Sequence, residues 1–396
     1  MYNYVRSINQ DVLGRINEPR RFIQVIAGPR QVGKSTMVHQ VLSQVKIPYL
    51  SENADAVDAA DSDWIRRVWN TARNKMLVLN LSEFLLVIDE IQKIRNWSEV
   101  VKREWDADSL NGVNIKVILL GSSRLMLRKG LTESLAGRFE LIRMSHWSYQ
   151  EMRDAFGFTL DQYIYFGGYP GAAPFISNEK RWRRYIKDAL VAPAIGKDVI
   201  LTSNIYKPAL MQQVFEIGCS YSAQLLSLTK IVGQLQDVGN ATTVAHYISL
   251  LNQSELLTGL QKYVFDEARK YNSVPKFQVY NNALLTAYRG KNYETDRTNP
   301  DVWGRWVESA VGAHLVCRAN ELDYRVLYWR ERNDEVDFIV YGQGKCISIE
   351  VKSGRHAKNK GMKLFHDLYQ PQMEFIVGTT GMPVEEFLLT DLEHFF

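Results

Sequence analysis

The stretch that most restricts what this chain can fold into is residues 22–37, FIQVIAGPRQVGKSTM. Phe22, Ile23, Val25 and Ile26 predict a buried strand, Gly28 to Gly33 a loop, and Met37, Val38, Val41 and Leu42 recur at helical spacing. GxxxxGK[ST] between a strand and a helix is a phosphate-binding pattern. Its glycines let backbone N–H groups close around phosphate oxygens, and the helix N-terminus adds unpaired donors and a positive dipole. Gly28, Pro29, Arg30, Gln31, Val32, Gly33, Lys34, Ser35 and Thr36 are therefore the candidate nucleotide-binding residues. Lys34 would reach the β- and γ-phosphates, and the Ser35 hydroxyl would ligate Mg²⁺. The ligand this predicts is a nucleoside triphosphate.

A chain of 396 residues is too long for one core, so two or three domains are expected. Net charge is only +4, from 48 basic against 44 acidic residues, which excludes a general polyanion sponge and leaves local basic patches to be judged singly. No apolar run is long enough to cross a membrane, and residues 1–11 lack a secretory apolar core. Cys219, Cys317 and Cys346 stand far apart and odd in number, which argues against a disulfide framework and against structural zinc. The expected compartment is the cytoplasm.

Residues 1–20 read as an amphipathic helix, with Val5, Ile8, Val12, Leu13 and Ile16 on one side. A short apolar stretch at 47–50 and a helix bearing Trp64, Val68 and Trp69 come after the loop helix. Residues 84–90, FLLVIDE, run apolar straight into two acids, the pattern of a buried parallel strand with carboxylates at its carboxyl end. There Asp89 suits Mg²⁺, and Glu90 suits the base that polarises an attacking water. Residues 113–120 predict another buried strand ending in Gly121-Ser122-Ser123, where Ser122 could meet the γ-phosphate or the lytic water; a plain turn fits the same residues. Arg138, in LAGR before the β-like run 139–144, is a candidate arginine finger, because a planar, permanently charged guanidinium stabilises a transferring phosphoryl group.

GPRQVGKST, LLVIDEIQ, LLGSS and SLAGR, in that order, resemble the AAA-type P-loop ATPases whose C-terminal half is a domain of unknown function. That family's loop usually ends in two threonines; Ser35-Thr36 here keeps the hydroxyl. The resemblance implies ATP as substrate, Mg²⁺ with it, and the roles above for Lys34, Ser35, Asp89, Glu90, Ser122 and Arg138. It also implies a winged helix and a restriction-endonuclease-like core, PD-(D/E)xK, in the C-terminal half. A second-sensor arginine in a helical lid is not evident in this sequence.

The expected fold class is α/β: a P-loop NTPase parallel sheet of AAA type over 1–150, a helical connector over 151–220, a winged helix-turn-helix over 221–295, and a small α/β restriction-endonuclease-like domain over 296–396. Gly167-Gly168-Tyr169-Pro170 reads as a packed turn. Lys180, Arg181, Arg183, Arg184 and Lys187 crowd onto one predicted helix, as a solvated basic face or a phosphate contact. Helix, glycine turn at Gly239, helix and hairpin across 225–280 give the winged helix. Its second helix offers Thr242, Thr243, His246, Ser249 and Asn252 outward, without the Lys or Arg that phosphate anchoring needs. A protein partner suits that face better than DNA.

Farther on, Glu308 lies on a predicted helix, Asp337 on a strand, and Glu350-x-Lys352 on the next, a D…ExK arrangement. Asp337 and Glu350 at neighbouring strand ends could hold a second Mg²⁺, with Glu308 an outer ligand and Lys352 orienting water. Arg355, His356, Lys358, Lys360 and Lys363 follow as a basic trail. Three functions therefore stand: an ATPase coupled to its C-terminal half, a nucleotide-gated DNA nuclease, and a slow ATP-dependent switch acting on a protein, with a homo-oligomer admissible in each.

Overall fold

In the computed structural model, which describes residues 4–121, 134–200, 205, 207–235, 240–264, 273–319, 321–352 and 360–396, Ile23–Ala27 forms strand β1, buried along its whole length. The chain divides into two compact units, Met1–Ser145 and His146–Phe396.

In the first unit, helix α1 (Ile8–Asn17) precedes β1, and helix α2 (Lys34–Leu42) follows it. Then come β2 (Tyr49–Asn53), α3 (Asp63–Val78), β3 (Phe84–Asp89), α4 (Trp97–Leu110), β4 (Ile115–Gly121) and β5 (Phe139–Arg143). The strands form one parallel sheet in the order β2-β3-β4-β1-β5. A parallel sheet needs cover on both faces. On one face Ile23, Val25, Leu86, Ile88, Val117 and Leu119 share a core with Ile65, Val68 and Trp69 of α3 and Val101 and Trp105 of α4. Val12 and Ile16 of α1, with Met37, Val38, Val41 and Leu42 of α2, are the buried apolar residues of the other two helices. The expected mixed α/β fold with a P-loop parallel sheet is the observed one.

Two local expectations are corrected. The first helix starts at Ile8 rather than spanning 1–20, and Val5 is exposed. The 47–50 stretch becomes a strand only from Tyr49 and continues through Ser51, Glu52 and Asn53, because an edge strand can carry polar residues that a central one cannot.

The second unit opens with two short helices, Tyr149–Phe156 and Leu160–Phe166, each with a capping box, on Ser148 and Thr159. The glycine turn after them is packed: the Gly168 N–H donates to Asn281 Oδ1 at 3.0 Å, and Tyr169 is buried. The basic segment is not one α-helix. Helix Glu179–Arg184 widens into π-helical turns over Tyr185–Val191, which breaks the single charged face. Arg183 donates to the carbonyls of Gly290 and Lys291, Lys187 lies over the Tyr288 ring and Arg181 over Phe175.

Helix Pro208–Ser220, β6 (Gln224–Leu225), helices Leu228–Val232 and Ala241–Gln253, β7 (Leu257–Leu260) and β8 (Lys276–Val279) follow, with an antiparallel sheet ordered β6-β8-β7. Gly239 lies outside the described residues. Val244, Tyr247, Ile248 and Leu251 are buried, whereas Thr242, His246 and Ser249 are exposed. After helix Pro300–Ala319 come β9 (Arg325–Glu331), β10 (Asp334–Gly342), β11 (Lys345–Lys352), helix Lys360–Tyr369 and β12 (Met373–Gly378). The sheet order is β12-β11-β10-β9, antiparallel except for the parallel β11–β12 pair. Leu327, Trp329, Val336, Ile339, Met362 and Phe365 form its core. Among the described residues no helix is long and apolar enough to cross a membrane.

Candidate nucleotide-binding site

The phosphate loop leaves the carboxyl end of β1. A Cβ on Gly28 would fall 2.1 Å from the Met144 carbonyl oxygen, so only glycine lets the two backbones lie this close. Gln31 (φ 59°) and Gly33 (φ 90°) turn through the left-handed region, and Val32, fully buried, anchors the loop between them. Helix α2 begins at Lys34, so its first backbone N–H groups open toward the loop. Lys34 is 7% exposed, and its Nζ donates to the carbonyls of Gly28 (2.9 Å) and Pro29 (2.7 Å), which holds the ammonium within the loop.

The acids at the end of β3 meet this loop. Ser35 Oγ donates to Asp89 Oδ2 at 2.7 Å, and Asp89 Oδ1 accepts the Glu90 N–H at 2.8 Å. Glu90 has φ 52° and ψ 34°, an uncommon conformation for a residue with a Cβ, and the Gln92 side-chain amide donates to its carboxylate. A hydroxyl and a carboxylate in contact are hard oxygen donors, the set Mg²⁺ takes, so the residues present fit the ion expected with ATP. Gly121 ends β4 opposite Ala27. Ser122 lies outside the described residues.

Arg138 is not brought to the loop. It sits at the amino edge of the sheet, where Ile23 pairs with Phe139, whereas the loop leaves the other end of β1 beyond Ala27, paired with Arg143. At about 3.3 Å per strand residue the separation is roughly 16 Å, beyond a side chain's reach. Arg138 Nε and Nη2 instead grip Asp106 of α4 at 2.7 and 2.9 Å, and that pairing holds the Asp106 carboxyl below its ordinary pKa. Of the two ways the finger could work, the arrangement removes action on the chain's own nucleotide.

The C-terminal carboxylates gather differently from expectation. Asp337 Oδ2 accepts the Val351 N–H (2.8 Å), Glu350 accepts the Asp337 N–H (3.3 Å), and Lys352 closes on Glu350 instead of standing free for water. Glu308 and Asp337 are joined by Lys276 of β8, 1% exposed, at 2.6 and 3.5 Å, with Glu335 at 3.6 Å. Burial, then the neighbouring Asp337 charge, pushes the Glu308 carboxyl up, while Lys276 pulls it back. Among the described residues no group of three or more His, Cys, Asp or Glu could hold a metal ion. Arg355, His356 and Lys358 lie outside them.

Lys276, Asp106 and Gln92 escaped the sequence reading. Gln92 sits inside the quoted LLVIDEIQ, so its pairing with Glu90 had a local signal. Lys276 had only a faint one, a lysine in the strand-like KFQV, and Asp106 had none.

Residues 20–153 match a family described as AAA domain, and residues 157–295 and 303–389 match two families each described as a domain of unknown function. An uncharacterized protein of Mycobacterium tuberculosis is 26% identical over 339 residues, covering 83% of this chain and 70% of that protein. An uncharacterized protein of Methanocaldococcus jannaschii is 23% identical over 403 residues, covering 94% and 85%. Among solved structures, the Walker-type ATPase paby2304 of Pyrococcus abyssi superposes with a TM-score of 0.50 at 14% identity, over 73% of this chain and 96% of that one, a likeness of fold alone. The first unit thus carries a AAA domain on a P-loop ATPase fold.

Proposed function

We propose that this chain binds and hydrolyses MgATP and couples its nucleotide state to a C-terminal half built from a winged helix and a nuclease-like fold. The observation that carries the ATPase reading is the Ser35–Asp89 contact beside a strained Glu90 and a loop-bound Lys34. Ser35 and Asp89 would hold the Mg²⁺ that accompanies ATP, and the ion would supply charge neutralisation at the phosphates. Lys34 neutralises the β- and γ-phosphates, the loop N–H groups orient them, and Glu90 polarises the water for in-line attack. Arg138, at the far edge of the sheet, serves the nucleotide of a neighbouring copy.

The winged-helix reading is supported by helix–strand–helix–helix–strand–strand order with β8 central in its sheet. The nuclease-like reading is supported by a helix, three antiparallel strands, a helix and a fourth strand parallel to the third. The assay is phosphate release by wild type against Lys34→Ala and Glu90→Gln. Loss of release in both, with ATP still bound by Glu90→Gln, is expected; equal rates in all three would sink the reading.

A second reading, a slow switch acting on a protein partner, is favoured by one observation. The exposed Thr242, His246 and Ser249 face of helix Ala241–Gln253 carries no Lys or Arg, and Arg181, Arg183 and Lys187 already serve internal contacts. It predicts slow turnover with an oligomer size that changes between ATP and ADP in light scattering.

A further inference from the structure

A nuclease-like constellation is built to put carboxylate oxygens around a divalent cation, and Mg²⁺ requires them at about 2.0–2.1 Å. Here the space between Glu308, Glu335 and Asp337 holds an ammonium group. Lys276 Nζ lies 2.6 Å from Glu308 Oε1, 3.1 Å from the Asp337 carbonyl oxygen, 3.5 Å from Asp337 Oδ1 and 3.6 Å from Glu335 Oε1. We infer that Lys276 is the resident cation of this cluster: the chain's own ammonium neutralises Glu308 and Asp337, two of the carboxylates that a nuclease-like site would turn on a metal, so the constellation fastens β8 to β10 and helix Pro300–Ala319 and does not cleave phosphodiesters.

Three observations carry this. Lys276 is placed by a central strand, paired through Leu260 to β7 and through Leu225 to β6, and its side chain runs over the Phe338 ring at 4.8 Å, so its position is set by the sheet. Other carboxylate oxygens of the constellation are directed at internal donors, Asp337 Oδ2 at the Val351 N–H and Glu350 at the Asp337 N–H and Lys352. The charges nearly balance as well: Lys276, Lys352 and Arg330 stand against Glu308, Glu335, Asp337 and Glu350. A divalent ion turning to Asp337 and Glu308 would meet a fixed cation already paired with both. Burying a charge is tolerated only when it is paired, and removing one partner leaves the others exposed to that cost.

The inference rests on reading Glu308, Asp337, Glu350 and Lys352 as a nuclease-like constellation, and is independent of the ATPase reading. Its test uses full-length protein without nucleotide, Mn²⁺ as probe, and uptake followed by the electron paramagnetic resonance of free Mn²⁺. Wild type and Asp337→Asn should give the same isotherm, with no saturable site. Lys276→Met should gain one site per chain, lost again in Lys276→Met/Asp337→Asn. Wild-type uptake abolished by Asp337→Asn would overturn the inference, as would Mn²⁺-dependent plasmid cleavage abolished by that substitution. A folded Lys276→Met that takes up no Mn²⁺ would overturn the constellation reading beneath it. Should Lys276→Met fail to fold, by circular dichroism, Lys276→Gln takes its place, and the comparison of wild type with Asp337→Asn stands regardless.

Discussion

Ser35 and Asp89, 54 residues apart in sequence, are joined by a 2.7 Å hydrogen bond from the first turn of α2 to the end of β3. The contact ties the phosphate loop to the strand that carries the candidate base, and Asp89 fixes which way the serine hydroxyl faces. Asp89→Ala should therefore leave the fold intact and weaken Mg²⁺-dependent ATP binding by roughly 10–100-fold. Titration of a fluorescent ATP analogue with and without EDTA reads this. An unchanged difference between the two conditions would contradict it.

Gly28→Ala tests the close approach behind the loop. Its methyl group would sit 2.1 Å from the Met144 carbonyl oxygen, a backbone atom that cannot rotate away. Overpacking of this kind costs about 1–3 kcal/mol and should displace the loop, so nucleotide binding falls further than thermal stability does. Normal ATP affinity in the variant would show that the loop accommodates a side chain here.

Arg138→Ala should lower phosphate release by roughly 10³-fold while ATP still binds, if the guanidinium stabilises the transferring phosphoryl group. Mixing is more telling than the single variant. Lys34→Ala keeps Arg138, and Arg138→Ala keeps the loop, so two inactive proteins should restore activity when combined. No recovery on mixing, at concentrations where the protein assembles, would remove Arg138 from this role.

His314 gives the chain an acid-sensitive point. It lies on helix Pro300–Ala319, edge-on to Phe387 at 5.9 Å, and its Nε2 has no hydrogen-bond partner among the described residues. Burial first, then Arg318, pushes it down to about 4 from 6.5, with Asp391 opposing. The unfolded chain therefore binds this proton more readily than the folded one, and stability falls as pH drops from about 6.5 to about 4, then levels. The loss amounts to about 3 kcal/mol at most. Glu308 and Glu350, whose carboxyls are raised, act with the opposite sign, so the measurement is the difference between His314→Phe and wild type. From pH 7.5 to 5.0 the urea midpoint of wild type should drop relative to that of the variant; parallel shifts would exclude His314.

The parallel sheet was legible because its signal is local. An apolar run that ends in GxxxxGKS or in Asp89-Glu90 states both the strand and which end faces the ligand. Strand bounds were less so at the edge, where Ser51, Glu52 and Asn53 carry no apolar pattern. The C-terminal acids could be named from their strand spacing, yet their use could not. What decides it is Lys276, 61 residues before Asp337 and in another sheet, and spacing carries no information about an ion that arrives from elsewhere in the fold. Arg138 teaches the same lesson. Its motif was visible, but only strand register shows that it belongs to the opposite edge from the loop.

That register has a consequence for symmetry. If Arg138 of one copy completes the loop of the next, the two surfaces that meet are different, since they lie at opposite edges of the same sheet. Such a contact is heterologous: each copy presents one surface and receives the other. Repeating it closes a ring when the rotation divides a full turn and runs on as a helical filament when it does not.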